Sequence, residues 1–223
     1  MTKPNVEQQP NGFYYQIPDY EPGLGKTANI TVQMGAMASR LVQEERTRTH
    51  HPDGRAENVS EHSHMLSKIA PEIAAEMYPE LDRGLIALYT SAHDDVEAYV
   101  LDTATDKIDA QGRIDKAQRE ARGLEQLLKE HAHMPAYCRT VHEYEAQQIP
   151  EARFVRVVDK ITVLLIHIPN AGKIIQENYT FDQALENTRN TAQRLLNEYP
   201  EYEELIALRT ELSHHLAHQY LAG

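Results

Sequence analysis

The chain has 223 residues, a formal net charge of −12 and 41% hydrophobic content, proportions that suit one substantial core, or a core with an appendage. This acidity excludes broad nucleic-acid binding, which needs a basic surface to displace counterions from phosphates, and no apolar run approaches the roughly 20 residues of a membrane helix. The single Cys138 excludes an internal disulfide and a thiolate zinc site, and the proline-bearing polar N-terminus lacks signal-peptide order, so a cytoplasmic location is expected.

Residues 1–28 carry Pro4, Pro10, Pro18 and Pro22 without helical period and read as an irregular arm, with Phe13, Tyr14, Tyr15 and Tyr20 available to dock on the body or on a neighbouring subunit. A first helix is predicted from about Thr31 to Arg46. His51-Pro52-Asp53-Gly54 then makes a turn. A second helix follows with Ser60 as N-cap and Ile69, Ala70, Ile73, Ala74 and Met77 in helical period, up to a joint at Pro79. The third carries Leu85, Leu88, Tyr89, Ala92 and Val96 on one face. Amphipathic helices are expected over 109–129 and 137–147, and Pro150 opens a helix that is apolar nearly all round. Helices over 181–198 and 201–220 complete an all-α bundle, with strand signals nearly absent. The boundaries read as an arm at 1–28, a main domain at 29–200 and a C-terminal helix at 201–223.

The chemistry is concentrated where apolar stripes carry polar residues inward. His93, four residues after Tyr89, points towards the core side, and Asp94 sits at the edge of the same face. Asp159 lies inside the buried helix opened by Pro150. A buried imidazole and carboxylates need a counter-charge, and a divalent cation supplies one. With His62 they make a set of two imidazoles and two carboxylates that suits Mn, Co, Fe, Ni or Zn better than Ca. Glu97 falls one turn after His93, where it could hold or deprotonate a water, and Asp102 is a second candidate acid or base. Arg46, Arg48, His50, His51 and Arg55 offer positive groups for an anionic substrate. His214, His215 and His218 read as a surface cluster.

The order His62, His93-Asp94, Asp159 resembles the HD-domain metal-dependent phosphohydrolases. Arg55-Ala56-Glu57-Asn58-Val59-Ser60-Glu61-His62-Ser63 and His93-Asp94-Asp95-Val96-Glu97-Ala98-Tyr99-Val100-Leu101-Asp102 look like the corresponding segments of the bacterial 5'-deoxynucleotidases and their eukaryotic HD-domain relatives. Glu151-Ala152-Arg153-Phe154-Val155-Arg156-Val157-Val158-Asp159-Lys160 is similar to the stretch before the last metal aspartate. The resemblance covers roughly residues 35–168.

It implies a compact helical HD-domain bundle with extra C-terminal helices, one divalent metal held by His62, His93, Asp94 and Asp159, and Glu97 orienting or activating the attacking water. Asp102 would protonate the leaving group, and Arg46, with Arg48 as rival, would bind the substrate phosphate. The implied activity is hydrolysis of (deoxy)nucleoside 5'-monophosphates by a homodimer. The alternatives are a deoxynucleoside triphosphate triphosphohydrolase and a catalytically silent nucleotide-binding scaffold. Two departures bear on selectivity: Thr47 stands where the deoxynucleotidases carry a tryptophan against the sugar, and Leu101-Asp102 replaces a Gly-Asp pair.

Overall fold

A computed structural model describes residues 18–100 and 110–222, the side chains at 47–49, 110 and 113 aside. Its elements run α1 (Lys26–Leu41), β1 (Glu45–His50), β2 (Ala56–Asn58), α2 (Val59–Met77), α3 (Arg83–Ala92), a 3-10 turn (Asp95–Ala98), α4 (Ala110–Glu130), α5 (Pro135–Ala146), α6 (Pro150–Leu165), α7 (Lys173–Asn178), α8 (Phe181–Glu198), a second 3-10 turn (Pro200–Tyr202) and α9 (Glu203–Leu221). The bundle is all-α apart from one small hairpin.

That hairpin corrects the first-helix expectation. Helix α1 stops at Leu41, and the residues up to His50, with β-branched Thr47 and Thr49 alternating among longer side chains, enter a strand instead. β1 pairs antiparallel with β2, Glu45 opposite Asn58 and His50 opposite Ala56, with a register shift between the two pairs. The expected turn closes it, Gly54 at φ +86 and its N–H donating to the His51 carbonyl at 2.9 Å.

The strand hands the chain to α2 through a capping box. Asn58, not Ser60, is the N-cap: its Oδ1 accepts from the Glu61 N–H at 2.9 Å, while Glu61 Oε2 accepts from the Asn58 N–H at 3.0 Å. Two donors that α2 cannot satisfy internally are thereby paired. Arg55 grips the same Glu61 from across the turn, Nη2 to Oε1 at 2.8 Å, so the end of the hairpin and the first turn of α2 are fastened together.

The core has two parts. In one, Leu66, Ala70 and Ala74 of α2, Ile86 and Tyr89 of α3, Phe154, Val158 and Ile161 of α6, Leu195 of α8 and Leu205 of α9 are packed together. In the other, Met37, Val59, Val96, Leu127 and Val141 join α1, α2, α4, α5 and the first 3-10 turn. Leu88, placed on the inward stripe of α3 by its spacing, is 53% exposed. The buried face of α3 runs instead through Ile86, Tyr89 and Thr90 to His93, one helical step round.

Helix α3 ends at Ala92, and Asp95–Ala98 continue as a tighter turn. Glu97 is therefore not on the same α-helical face as His93. Its N–H bonds the Asp94 carbonyl at 2.9 Å, which keeps the acid directly beside the doublet. Of the N-terminal arm, residues 18–25 lie on the body: Gln33 Nε2 donates to the Pro18 carbonyl at 2.9 Å and the Tyr20 ring meets His133 edge-on. Phe13, Tyr14 and Tyr15 lie outside the described residues.

Candidate metal centre

Three helices converge where the two core clusters meet. Helix α2 delivers His62 on the same buried face as Val59, Leu66 and Ala70, at zero exposure. Helix α3 ends on His93, 2% exposed, and the next residue is Asp94. Helix α6 buries Asp159 among Val155, Val158 and Thr162. His62, His93 and Asp94 each offer one ligand atom, and these atoms lie within 4.8 Å of one another. Asp159 joins through His62, whose Nε2 is 2.8 Å from Asp159 Oδ1.

The tautomer of His93 follows from its anchor. Its Nδ1 lies 3.0 Å from the Thr90 carbonyl oxygen, which can only accept, so Nδ1 carries the proton and the neutral ring keeps its lone pair on Nε2. That Nε2 is buried, makes no hydrogen bond, and sits 3.0 Å from Asp94 Oδ2. Orientation of one imidazole nitrogen by a backbone carbonyl, which fixes the tautomer and leaves the other nitrogen for a cation, is the usual preparation of a histidine ligand. The His62 ring is 5.5 Å from that of His93. Residues and chemistry therefore fit a divalent cation.

The electrostatics are those of a preassembled anionic cup. Burial would raise the Asp94 pKa, but His93 and Arg46 hold it well below the usual carboxylate range. Asp159 is treated alike: burial opposes ionisation, and Lys160, whose Nζ is 2.6 Å from Oδ2, overrides it together with His62. For His93, burial disfavours the charged form and the Asp94 and Asp159 charges outweigh it, so the imidazole pKa is raised.

Arg46, the first candidate for the phosphate, lies beside the doublet: its Nη1 donates to Asp94 Oδ2 at 2.8 Å, and its Nε is 3.7 Å from Glu57 Oε2. Glu97 is half-buried in the turn after Asp94. Arg48 lies in β1 with its side chain outside the description, and Asp102 lies outside the described residues. His214, His215 and His218 sit on α9 away from this cluster, His218 against the Phe181 ring.

Other partners were not singled out from sequence. Glu57, 1% exposed, stands 3.9 Å from His62 Nδ1 and so faces both a ligand candidate and Arg46. Tyr144 packs edge-on against His93, and the Arg156 guanidinium lies over the Tyr144 ring, 4.6 Å from its centroid. Asp95 turns away from Asp94 and accepts from the Tyr137 hydroxyl at 2.8 Å, tying the 3-10 turn to α5; burial pushes its pKa up to about 6. Glu57, Asp95 and Arg156 each lie inside one of the segments that carry the family resemblance, Glu57 five residues before His62.

Comparison with known proteins agrees with this geometry. A family model described as HD domain matches residues 38–203, a span that holds His62, His93, Asp94 and Asp159. The chain belongs to the HD-domain family. Among solved structures, the HD-domain chain is similar to a predicted metal-dependent phosphohydrolase from Magnetospirillum magnetotacticum MS-1, with 22% identity and a TM-score of 0.67, over 89% of this chain and 100% of that one. At this identity the likeness is one of fold. No curated protein matches the chain. Among the described residues, no helix of this HD-domain protein is long and apolar enough to cross a membrane.

Proposed function

We propose that this HD-domain protein is a metal-dependent phosphohydrolase that cleaves the phosphate monoester of (deoxy)nucleoside 5'-monophosphates. The observation that carries the reading is His93: Nδ1 bound to the Thr90 carbonyl, Nε2 buried and facing Asp94 within reach of His62. His62, His93, Asp94 and Asp159 would hold the cation. When bound, such an ion supplies Lewis acidity to a phosphoryl oxygen and to water.

The side chains have separate tasks. Arg46, steadied by Asp94 and Glu57, presents its guanidinium to the non-bridging phosphate oxygens, where a planar fork of donors is favoured. Glu97 takes a proton from the attacking water as the new P–O bond forms. Asp102 gives a proton to the nucleoside 5'-oxygen as the old P–O bond breaks, so that charge and protons balance. The same reading has the protein act in the cytoplasm as a homodimer.

The test is a panel of deoxy- and ribonucleotides with Mn, Co, Ni, Fe and Zn, read by liquid chromatography and by phosphate release with and without added pyrophosphatase. Nucleoside plus phosphate from monophosphates is expected. Release of intact triphosphate would replace this reading with a triphosphohydrolase, and no metal-stimulated turnover would leave a silent nucleotide-binding scaffold. With Thr47 in place of a ring against the sugar, the preference for deoxy- over ribonucleotides is expected to be weaker than a packed ring enforces, a difference of about 1–3 kcal/mol.

A further inference from the structure

Next to the metal centre lies a cavity of about 440 Å³ between the hairpin and α7. β1 supplies Glu45, Arg46 and His50, and α7 supplies Ile174, Glu177 and Asn178. Arg46 belongs to both places, because the guanidinium of this lining residue reaches Asp94. A molecule whose phosphate is held by Arg46 therefore has this cavity beside it for the rest of its structure, and the volume is within the range of small-molecule sites.

The wall from α7 is held in place from two sides. Asn170 Nδ2 donates to the His50 carbonyl at 2.9 Å, fastening the approach to α7 onto β1. On the far side Gly172, at φ +70, lies so close to the Tyr220 ring that an added Cβ would stand 2.2 Å from it, and Gln176 Nε2 donates to the Tyr220 carbonyl at 3.0 Å. The last helix thus braces the short α7 against the hairpin.

Beyond Arg46 and His50, the polar part of the lining is made of carboxylates and one amide. Glu45 and Glu177 are carboxylates, and carboxylates only accept hydrogen bonds. Asn178 commits one Nδ2 hydrogen to the Ile174 carbonyl at 2.9 Å and offers Oδ1 as an acceptor beside its second N–H. Two anionic acceptors and an amide oxygen repel further phosphates and favour a group rich in N–H donors. Among nucleobases, guanine presents adjacent N1–H and amino donors on one edge, whereas thymine and uracil present a single N3–H between two carbonyl acceptors.

Resting on the phosphohydrolase reading, we infer that the cavity between β1 and α7 takes the nucleoside part of the substrate and that Glu177, with Asn178, makes it prefer guanine to thymine or uracil. Glu177 is a specificity residue on an exposed position of α7, so its substitution leaves the core untouched.

The experiment compares kcat/KM on deoxyguanosine and thymidine 5'-monophosphates for the full chain and for Glu177→Gln, with deoxyribose 5-phosphate as a substrate lacking a base. The wild type is expected to favour the guanine nucleotide by roughly tenfold, the scale of a lost hydrogen bond to a charged group. In Glu177→Gln that ratio should fall about fivefold, through KM rather than kcat. An unchanged ratio, or a wild type that favours thymidine monophosphate, overturns the inference while leaving the phosphohydrolase reading intact. Failure of the wild type to release phosphate from all three substrates with any of the metals overturns the reading itself, and the inference with it.

Discussion

Replacing His93 with alanine removes one of the three clustered candidate ligand atoms, and with it an imidazole donor from the set His62, Asp94 and Asp159 would share around a cation. The effect can be sized through linkage. A ligand at about 100 times its dissociation constant stabilises the state that binds it by about 2.7 kcal/mol. For a chain of this length, each kcal/mol moves Tm by about 2–4 °C, so metal should raise the wild-type Tm by about 5–11 °C. His93→Ala also costs apo stability, because His93 is 2% exposed and packed against Tyr144. The informative quantity is therefore the rise on adding metal, measured within each protein. For His93→Ala that rise should fall below about 2 °C on the same scale. Asp94→Asn, which keeps the shape and loses the charge, should behave alike. Differential scanning calorimetry in chelator and in excess Mn, Co, Ni or Zn, with bound metal counted by mass spectrometry, makes the measurement. Equal metal content and an equal rise in wild type and both variants would refute the ligand assignment.

Glu97→Ala is expected to keep the bound metal while turnover drops by about two orders of magnitude, the scale of a lost acid or base; near-normal turnover would move proton transfer elsewhere. Gly172→Ala should cost about 2 kcal/mol or more, since φ is +70 and the new Cβ meets the Tyr220 ring, and a thermal melt indistinguishable from wild type would show that α9 does not brace α7. Glu61 gives a pH signature. Its hydrogen bonds from Arg55, reinforced by those of the capping box and His51, lower its pKa from 4.5 to about 2. The stabilisation is therefore complete above pH 4.5 and disappears as pH falls towards 2. With the side chain 35% exposed, screening reduces the contribution to about 1 kcal/mol. Denaturant melts of wild type and Glu61→Gln should differ by that amount at pH 7 and converge near pH 2; a gap independent of pH would assign it to packing.

Local sequence determined those features whose cause is local. Helix α8 runs from Phe181 to Glu198 as its period predicts, and Pro150 opens α6 because its fixed φ and missing N–H suit a first helical turn. The inward course of His93 followed from its spacing to Tyr89, and an Asp within the nearly all-apolar α6 had to be paired wherever α6 packed. Motif order was legible for the same reason, since each segment is continuous in the chain.

Tertiary structure decided what depends on residues far apart. β1 is a strand only because residues 56–58 return to pair with it, which no helical period in 31–46 could report. Helix α7 has six residues, too few for a periodic signal or for stability alone, and it exists between the hairpin and α9. The one-step rotation of α3 that exposes Leu88 was set by which face α2 and α6 could fill. The bond of His62 to Asp159 across 97 residues of chain, the reach of Arg46 from a strand to Asp94 across 48, and the approach of His62 to the His93-Asp94 doublet depend on how distant segments meet. Their cause is the packing of α2, α3 and α6 around a shared core, which turns separate polar residues on three apolar faces into one centre.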